Sequence, residues 1–266
     1  MKQPLFQHFD PSEWPMVEQI LDWQTQVGER YQRILTPFLN PRERYLVANV
    51  IGQSDTMTIA GDGGFQSAEN QRLLLYPYYE EVSREDFGLQ LFEIAYPKKF
   101  GALTHGQIMG TILGAGIQRN RLGDIVQRED EAGNVDWQVV VDREFAAMLA
   151  QNVTRIGKTS VKLVPLPLED AYPAEADWKT QESSVSSFRL DTLLAEGFHL
   201  SRTKVKAFIE AGAVKRNWLE TTNPAQVVSE YDILSLRGSG RMRLDEKLTE
   251  TKKGNHWIRY SIIKSR

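Results

Sequence analysis

The sequence predicts an α+β protein built in three parts, and three observations predict it. Apolar residues at helical spacing and at strand spacing follow one another along the 266 residues, with no long repeat of either. A stretch marked by Pro165, Pro167, Pro173 and the serines of 183–187 interrupts the periodicity. Charge also changes sign across it: residues 1–180 hold 17 Lys/Arg against 25 Asp/Glu, net −8, and residues 181–266 hold 15 against 10, net +5. The overall charge of −3 hides this segregation, which suits a polyanion meeting one end of the chain. The expected parts are a small α/β domain (1–80), a split-βαβ or ferredoxin-like domain (81–167), a linker (168–185) and a basic domain with a C-terminal extension (186–266).

Composition narrows the function classes. At 41% hydrophobic residues the chain has a core to bury, which excludes global disorder. No run reaches the ~18 apolar residues of a membrane helix, and Asp10 and Glu13 interrupt the place of a signal peptide's apolar core. A cytoplasmic protein without membrane insertion is expected. Zero cysteines remove disulfide scaffolds, thiolate zinc sites and cysteine nucleophiles.

In the first part, Trp14, Val17, Leu21, Val27, Tyr31, Ile34 and Phe38 recur at spacings of one or two amphipathic helices. Asn40, Pro41 and Glu43 announce a further helix running to Gly52, with Leu46, Val50 and Ile51 as its apolar stripe. Leu73–Tyr76 reads as a strand. The Gly61-Asp62-Gly63-Gly64 run lacks the lysine and serine of a phosphate loop, so a turn is favoured over a phosphate nest.

The second part alternates in type: strand 89–96, helix 105–114, strands 124–128 and 137–141, helix 143–152, strand 160–164. A turn at Glu131–Asn134 makes the middle pair an antiparallel hairpin, and the β-α-β-β-α-β order is the split βαβ arrangement. RRM domains share it, but strand 137–141 offers only Trp137 for base stacking. Gly110, Gly114 and Gly116 do not follow a strand as a dinucleotide fingerprint requires; they read as close helix–sheet packing and a helix C-cap. His8, His105, His199 and His256 show no metal-ligand spacing, and Glu80–Glu81 and Asp130–Glu131 read as solvated charge. No metal or other cofactor is expected, and no catalytic constellation is visible.

Beyond the linker, Leu190, Leu193 and Leu194 form the stripe of a short helix that Gly197 can end. Ser201 caps a second, whose Val205, Phe208 and Ile209 face the core and which Gly212 can end. Arg202 and Lys206 fall beside that stripe as a cationic ridge. β-like runs follow at 213–217, 227–228 and 233–237. Trp218 reads as a cover for the sheet, with stacking on a base or sugar as the other reading.

The run Arg189-Leu190-Asp191, Gly197, Ser201-Arg202, Phe208-Ile209, Gly212, Val214, Asp232-Ile233-Leu234 and Arg237-Gly238-x-Gly240-Arg241 resembles the S-four RNA-binding domain over residues 186–245. That resemblance implies two helices and a small bent sheet that bind structured RNA. It carries the RNA-binding role onto Arg189, Ser201, Arg202, Lys204, Lys206, Lys215, Arg216, Arg237, Arg241 and Arg243. Two turns depart from the family pattern: Asn217-Trp218 stands for Asn-Gly, and Tyr231-Asp232 for Gly-Asp.

The full layout, with GDGGFQSAENQRLLLYP in the first part, resembles the YlmH family of Gram-positive bacteria. In that family basic residues usually occupy two positions that are Asn70 and Gln71 here, which weakens any nucleic-acid role for this segment. The resemblance implies a non-catalytic protein that binds ribosomal RNA and/or tRNA on the large ribosomal subunit in ribosome-associated quality control. It also implies a link to cell division, with cell-division proteins as further partners. The rival expectation is an RNA-modifying enzyme, a pseudouridine synthase or methyltransferase, with Asp191 as its tempting aspartate; a helix-start or ion-pair role for Asp191 is the preferred reading.

Overall fold

A computed structural model describes residues 6–7, 9–98, 102–130, 133–173, 178–250 and 254–264. His8, the Glu131–Ala132 half of the expected hairpin turn and residues 174–177 of the expected linker lie outside them. The chain divides into two compact units, Met1–Ala174 and Glu175–Arg266.

The first unit opens with α1 (Trp14–Arg30), which buries Val17, Ile20, Trp23 and Val27. Here the expectation is corrected: Tyr31 takes a left-handed φ of 55° and ends the helix, and Ile34–Leu39 forms strand β1. β1 is an edge strand, so it tolerates Pro37, which sits where the register with the next strand shifts between Leu35 and Phe38. Thr36 Oγ1 accepts from Leu73 N at 2.8 Å there. Helix α2 (Pro41–Ile51) starts as expected: Asn40 accepts from Arg42 N and Glu43 N at 2.9 and 3.1 Å, and Asn40 N donates to Glu43 at 2.8 Å. Strands β2 (Met57–Asp62) and β3 (Gln71–Pro77) complete an antiparallel sheet of order β1-β3-β2.

The next elements are β4 (Leu89–Ala95), α3 (His105–Gly114), β5 (Leu122–Glu129), β6 (Val135–Asp142), α4 (Ala146–Asn152), a short hairpin β7–β8 (Arg155–Ile156, Thr159–Ser160) and β9 (Lys162–Leu166). The sheet order is β5-β6-β4-β9, every pair antiparallel. α3 packs through Ile108 and Ile112. Its glycines do not do this: a Cβ built at Gly106, Gly110 or Gly114 would meet nothing within 4 Å. The close-packing reading of Gly110 and Gly114 is thus corrected, and Gly116, at φ 105°, follows the helix end.

The two sheets of this unit stand back to back. Along β3, Leu73 and Leu75 face the core formed with α1 and α2, while Leu74 and Tyr76 face a second core shared with Leu89, Leu91 and Val140. Along β6 the alternation repeats, with Val139 and Val141 turned toward α3 and α4. The first two expected domains therefore share a core. Period-2 burial shows that a strand has two apolar faces, but not what covers the second. A buried ion pair joins the same layers: Arg72 Nη1 lies 3.1 Å from Asp142 Oδ1, and Arg121 Nη1 lies 2.7 Å from Oδ2.

The glycine run starts inside β2, where Gly61 and Asp62 pair with Leu73 and Arg72, and only Gly63-Gly64 form the turn, which the Asp62 side chain fixes. Asp62 Oδ1 accepts from Gly64 N at 2.7 Å, and Arg84 donates to Asp62 and to Gly64 O at 2.7 and 2.8 Å. Gly64 has φ 86°, and a Cβ there would lie 2.6 Å from Val140.

The second unit begins inside the expected linker. Lys179–Val185 forms strand β10, paired antiparallel with the last strand. α5 (Leu190–Phe198) and α6 (Arg202–Glu210) follow, then β11 (Val214–Arg216), β12 (Leu219–Glu220), β13 (Ile233–Leu236), β14 (Gly240–Glu250) and β15 (His256–Lys264). The sheet is six-stranded in the order β10-β15-β14-β13-β11-β12. Leu190, Leu193, Leu194, Val205 and Ile209 of the helices share one core with Val214, Leu234, Leu236, Met242, Leu244, Ile258, Tyr260 and Ile262 of the sheet.

Gly197 does not end α5. It lies within the helix, where a Cβ would come 2.6 Å from Met242 Sδ, and His199 takes the left-handed cap at φ 53°. The expected strand at 227–228 is an isolated bridge between Val227 and Arg189.

Candidate nucleic-acid interface

The basic residues of the second unit are placed by the starts of its two helices and by the pleat of its sheet. The first amides of α5 are satisfied by a crossing segment, Leu190 N donating to Gln226 O at 2.9 Å and Asp191 N to Pro224 O at 3.1 Å. α6 starts on Ser201, whose Oγ accepts from Lys204 N at 3.3 Å. Ser201 is therefore a cap. Its hydroxyl is engaged in holding the helix that carries Arg202, Lys204 and Lys206.

Asp191 joins the helix starts. It is buried, 4% exposed, and both oxygens are taken by guanidinium groups. Arg189 Nε donates to Oδ1 and Arg189 Nη2 to Oδ2, each at 3.0 Å, and Arg202 Nη2 donates to Oδ2 at 3.0 Å. Burial alone would raise the pKa of this carboxyl. The hydrogen bonds and attraction of Arg189 and Arg202 prevail and hold it at about 2. One buried negative charge thus fixes two half-exposed positive ones side by side, leaving N–H groups of both directed away from Asp191. On α6, Lys206 sits 3.7 Å from Glu210 and the Lys204 ammonium stands 5.8 Å from the Phe208 ring centroid; both lysines are exposed.

The remaining candidates divide by face. Val214, Leu234, Leu236, Met242 and Leu244 point into the helix-covered core, so the residues alternating with them lie on the opposite face of the sheet. Lys215, Arg241 and Arg243 are there, with Lys215 opposite Ser235 and Ser235 opposite Arg241 in the register. The basic candidates therefore lie on more than one surface, a division that spacing along the chain does not reveal because it carries no information on which side of a sheet a strand residue emerges. Arg243 stands 5.2 Å from the Trp178 ring centroid and 2.5 Å from Asp245 Oδ1. Arg237 is exposed in the turn between β13 and β14.

Arg216 serves the fold. It donates to the buried Asp232 at 2.8 and 2.6 Å, and Asp232 also accepts from Asn217 Nδ2 at 2.6 Å and Ser229 N at 2.7 Å. This cluster ties β11 to β13 and flanks the two turns that depart from the family pattern. Arg216 pairs with Leu219, so Asn217-Trp218 is a two-residue hairpin loop; its φ values of 50° and 67° are those of a type I′ turn. Tyr231 likewise has φ 67°.

Sequence reasoning missed the outer strands, with Trp178, Lys247 and Arg259. Lys247 stands 4.4 Å from the Phe188 ring centroid, and Arg259 bridges Glu182 and Glu246. The signal was present as strict alternation in Met242–Leu244 and Ile258–Tyr260–Ile262. Among the described residues no group of three or more His, Asp or Glu is placed to hold a metal ion, and no helix is long and apolar enough to cross a membrane.

Comparison with known proteins covers the same segments. Residues 13–80 match the family model described as "YlmH, N-terminal", residues 83–170 that described as "Putative RNA-binding domain in YlmH", and residues 188–234 the S4 domain. The "Ribosome-associated protein quality control protein P2" of Bacillus subtilis (strain 168) is 36% identical over 249 residues, spanning 94% of this chain and 95% of that one. A solved structure, "Cell division protein ylmH from Streptococcus pneumoniae", is similar at a TM-score of 0.50 and 32% identity, covering 61% of this chain and 96% of the other.

Proposed function

The chain belongs to the YlmH family, and from that premise we propose that it is a non-catalytic RNA-binding protein that docks on ribosomal RNA and/or tRNA through the start of its S-four helix pair. The carrying observation is the Arg189–Asp191–Arg202 cluster, in which a buried carboxylate presents two guanidinium groups together. Arginine is suited to phosphate because its fork of donors matches the oxygen geometry, and fixing it beforehand lowers the ordering cost of binding. Lys204 and Lys206 extend the same helix surface, and Lys215, Arg237, Arg241 and Arg243 supply a separate set of contacts. The name of the Bacillus subtilis relative supports a place in ribosome-associated quality control. We further assign the large subunit as the docking partner and the cytoplasm as the site of action. The name of the Streptococcus pneumoniae neighbour supports a link to cell division, which we extend to contacts with division proteins.

The middle segment is read as RRM-like, on its β-α-β-β-α-β order with β6 between β4 and β5. Base stacking there does not use Trp137, which is buried in the core. An adaptor is favoured over an RNA-modifying enzyme because the one tempting aspartate, Asp191, has both oxygens occupied by arginines. Release of tritium from labelled uridine, or methyl transfer to RNA, would revive the enzyme.

The test is ribosome co-sedimentation at increasing salt. Lys204→Gln with Lys206→Gln leaves Asp191 paired. It is expected to weaken association and to flatten the log–log salt dependence by about 0.7–0.9 for each phosphate no longer neutralised. Unchanged binding with an unchanged slope removes this helix from the interface.

A further inference from the structure

Two of the largest side chains in the second unit occupy backbone conformations natural to glycine. Trp218 and Tyr231 both have φ 67°, in the left-handed region where a bulky side chain crowds its own carbonyl. Glycine would adopt the backbone geometry of either turn without strain.

The two positions are also neighbours. Asn217 N donates to Ile233 O at 2.8 Å and Ile233 N to Asn217 Oδ1 at 2.8 Å, while the side chains of Asn217 and Asp232 bond at 2.6 Å. Trp218 and Tyr231 therefore flank one hydrogen-bonded link at the same end of β11 and β13. Tyr231 is 74% exposed, so its ring contributes little to the core, and Trp218 is half-buried. Charged groups held in ion pairs stand nearby: Arg216 is fixed on Asp232, and Tyr231 lines a groove in which Arg243, Lys247 and Arg259 stand among Glu230, Asp245 and Glu246.

Backbone strain retained at an exposed aromatic residue suits a ring whose use is outside the fold. We propose that Trp218 and Tyr231 form a stacking platform for unpaired RNA bases, adding base contacts to the phosphate contacts of the helix pair. The inference rests on the RNA-binding reading above and assigns that function a second, distinct contact site.

The test compares the full-length protein with Tyr231→Gly, Trp218→Gly and Tyr231→Phe variants. The probes are a hairpin RNA with an unpaired loop and a blunt duplex of the same stem. The expected result is wild-type preference for the looped RNA and a roughly five- to hundred-fold loss of that affinity in each glycine variant. Duplex binding and the salt slope should be unchanged, because a stacked base releases no counterion. Tyr231→Phe keeps the ring and should bind like wild type. The melting temperature of Tyr231→Gly should hold or rise, relief of the left-handed strain offsetting the added chain entropy of glycine. Equal looped-RNA binding by wild type and Tyr231→Gly overturns the platform while leaving the phosphate interface standing; a wild type that binds neither RNA overturns both. A fall of several degrees in the melting temperature of Tyr231→Gly identifies that ring as structural cover and also overturns the platform. Should Trp218→Gly fail to fold, the Tyr231 pair of variants decides.

Discussion

A buried charge is safe only while it is paired, and Asp191 is paired twice. Its pKa of about 2 lies below the ordinary 3.8, so the ionised form is favoured by folding. The corresponding stability, about 2 kcal/mol, is fully present above roughly pH 4 and is lost as the pH falls toward 2. Urea unfolding of wild type and Asp191→Asn should differ at neutral pH and converge over that acidic window; a gap that persists at about pH 2 would mean that the loss comes from shape and not from charge. The same cluster reverses a simple expectation for Arg202. Its place beside the apolar stripe of α6 suggests that charge reversal would spare the fold, yet Arg202→Glu sets a second carboxylate against Asp191. The variant is expected to lose stability, on the order of 1–3 kcal/mol, read as a lower urea midpoint. The partnership of Arg189 with Asp191 was legible because both lie at one helix start. That of Arg202 was not, since it depends on how two helices meet.

Elements were legible where local chemistry decides them. The caps of α2 and α6 are written in Asn40, Pro41, Glu43 and Ser201, and the structure uses each as expected. β1 was misread because Ile34 and Phe38 continue a helical spacing by coincidence, while the strand owes its state to pairing with β3. β10 was hidden by the serines that made it look like a connector. It is an edge strand with mainly polar exposed residues, and only Val185 is buried. α3 gives the clearest prediction at this scale. Gly110 lies mid-helix with negative φ and open space where a Cβ would stand. Gly110→Ala should therefore stabilise the first unit by about 1 kcal/mol, the ordinary helix-propensity difference. A lower melting temperature would show that the alanine methyl is not accommodated.

At the scale of the whole chain, the boundaries of the matched segments and those of the folded units are different things. The family models part between residues 80 and 83, yet Phe38, Phe65, Leu74 and Tyr76 share a core with Leu89, Leu91 and Val140. The S4 match ends at residue 234, yet Met242, Leu244, Ile258, Tyr260 and Ile262 complete the core on which α5 and α6 lie. Charge segregation and the proline-rich stretch suggested a division, and the two compact units part between residues 174 and 175. They did not show which strands each side needs, because that depends on pairings between residues far apart in sequence. Truncation separates the two accounts. A fragment of 175–266 keeps β10 on β15 and is expected to unfold cooperatively. One of 186–266 loses the strand whose Lys179–Val185 pair with His256–Ile262, together with buried Val185. It should melt at a visibly lower temperature and expose β15 as a new edge prone to association. A fragment ending at residue 234 lacks most of the sheet face of its core and should not fold. Equal melting of the 175–266 and 186–266 fragments would return β10 to the role of a connector and leave the shorter piece as the independent RNA-binding module.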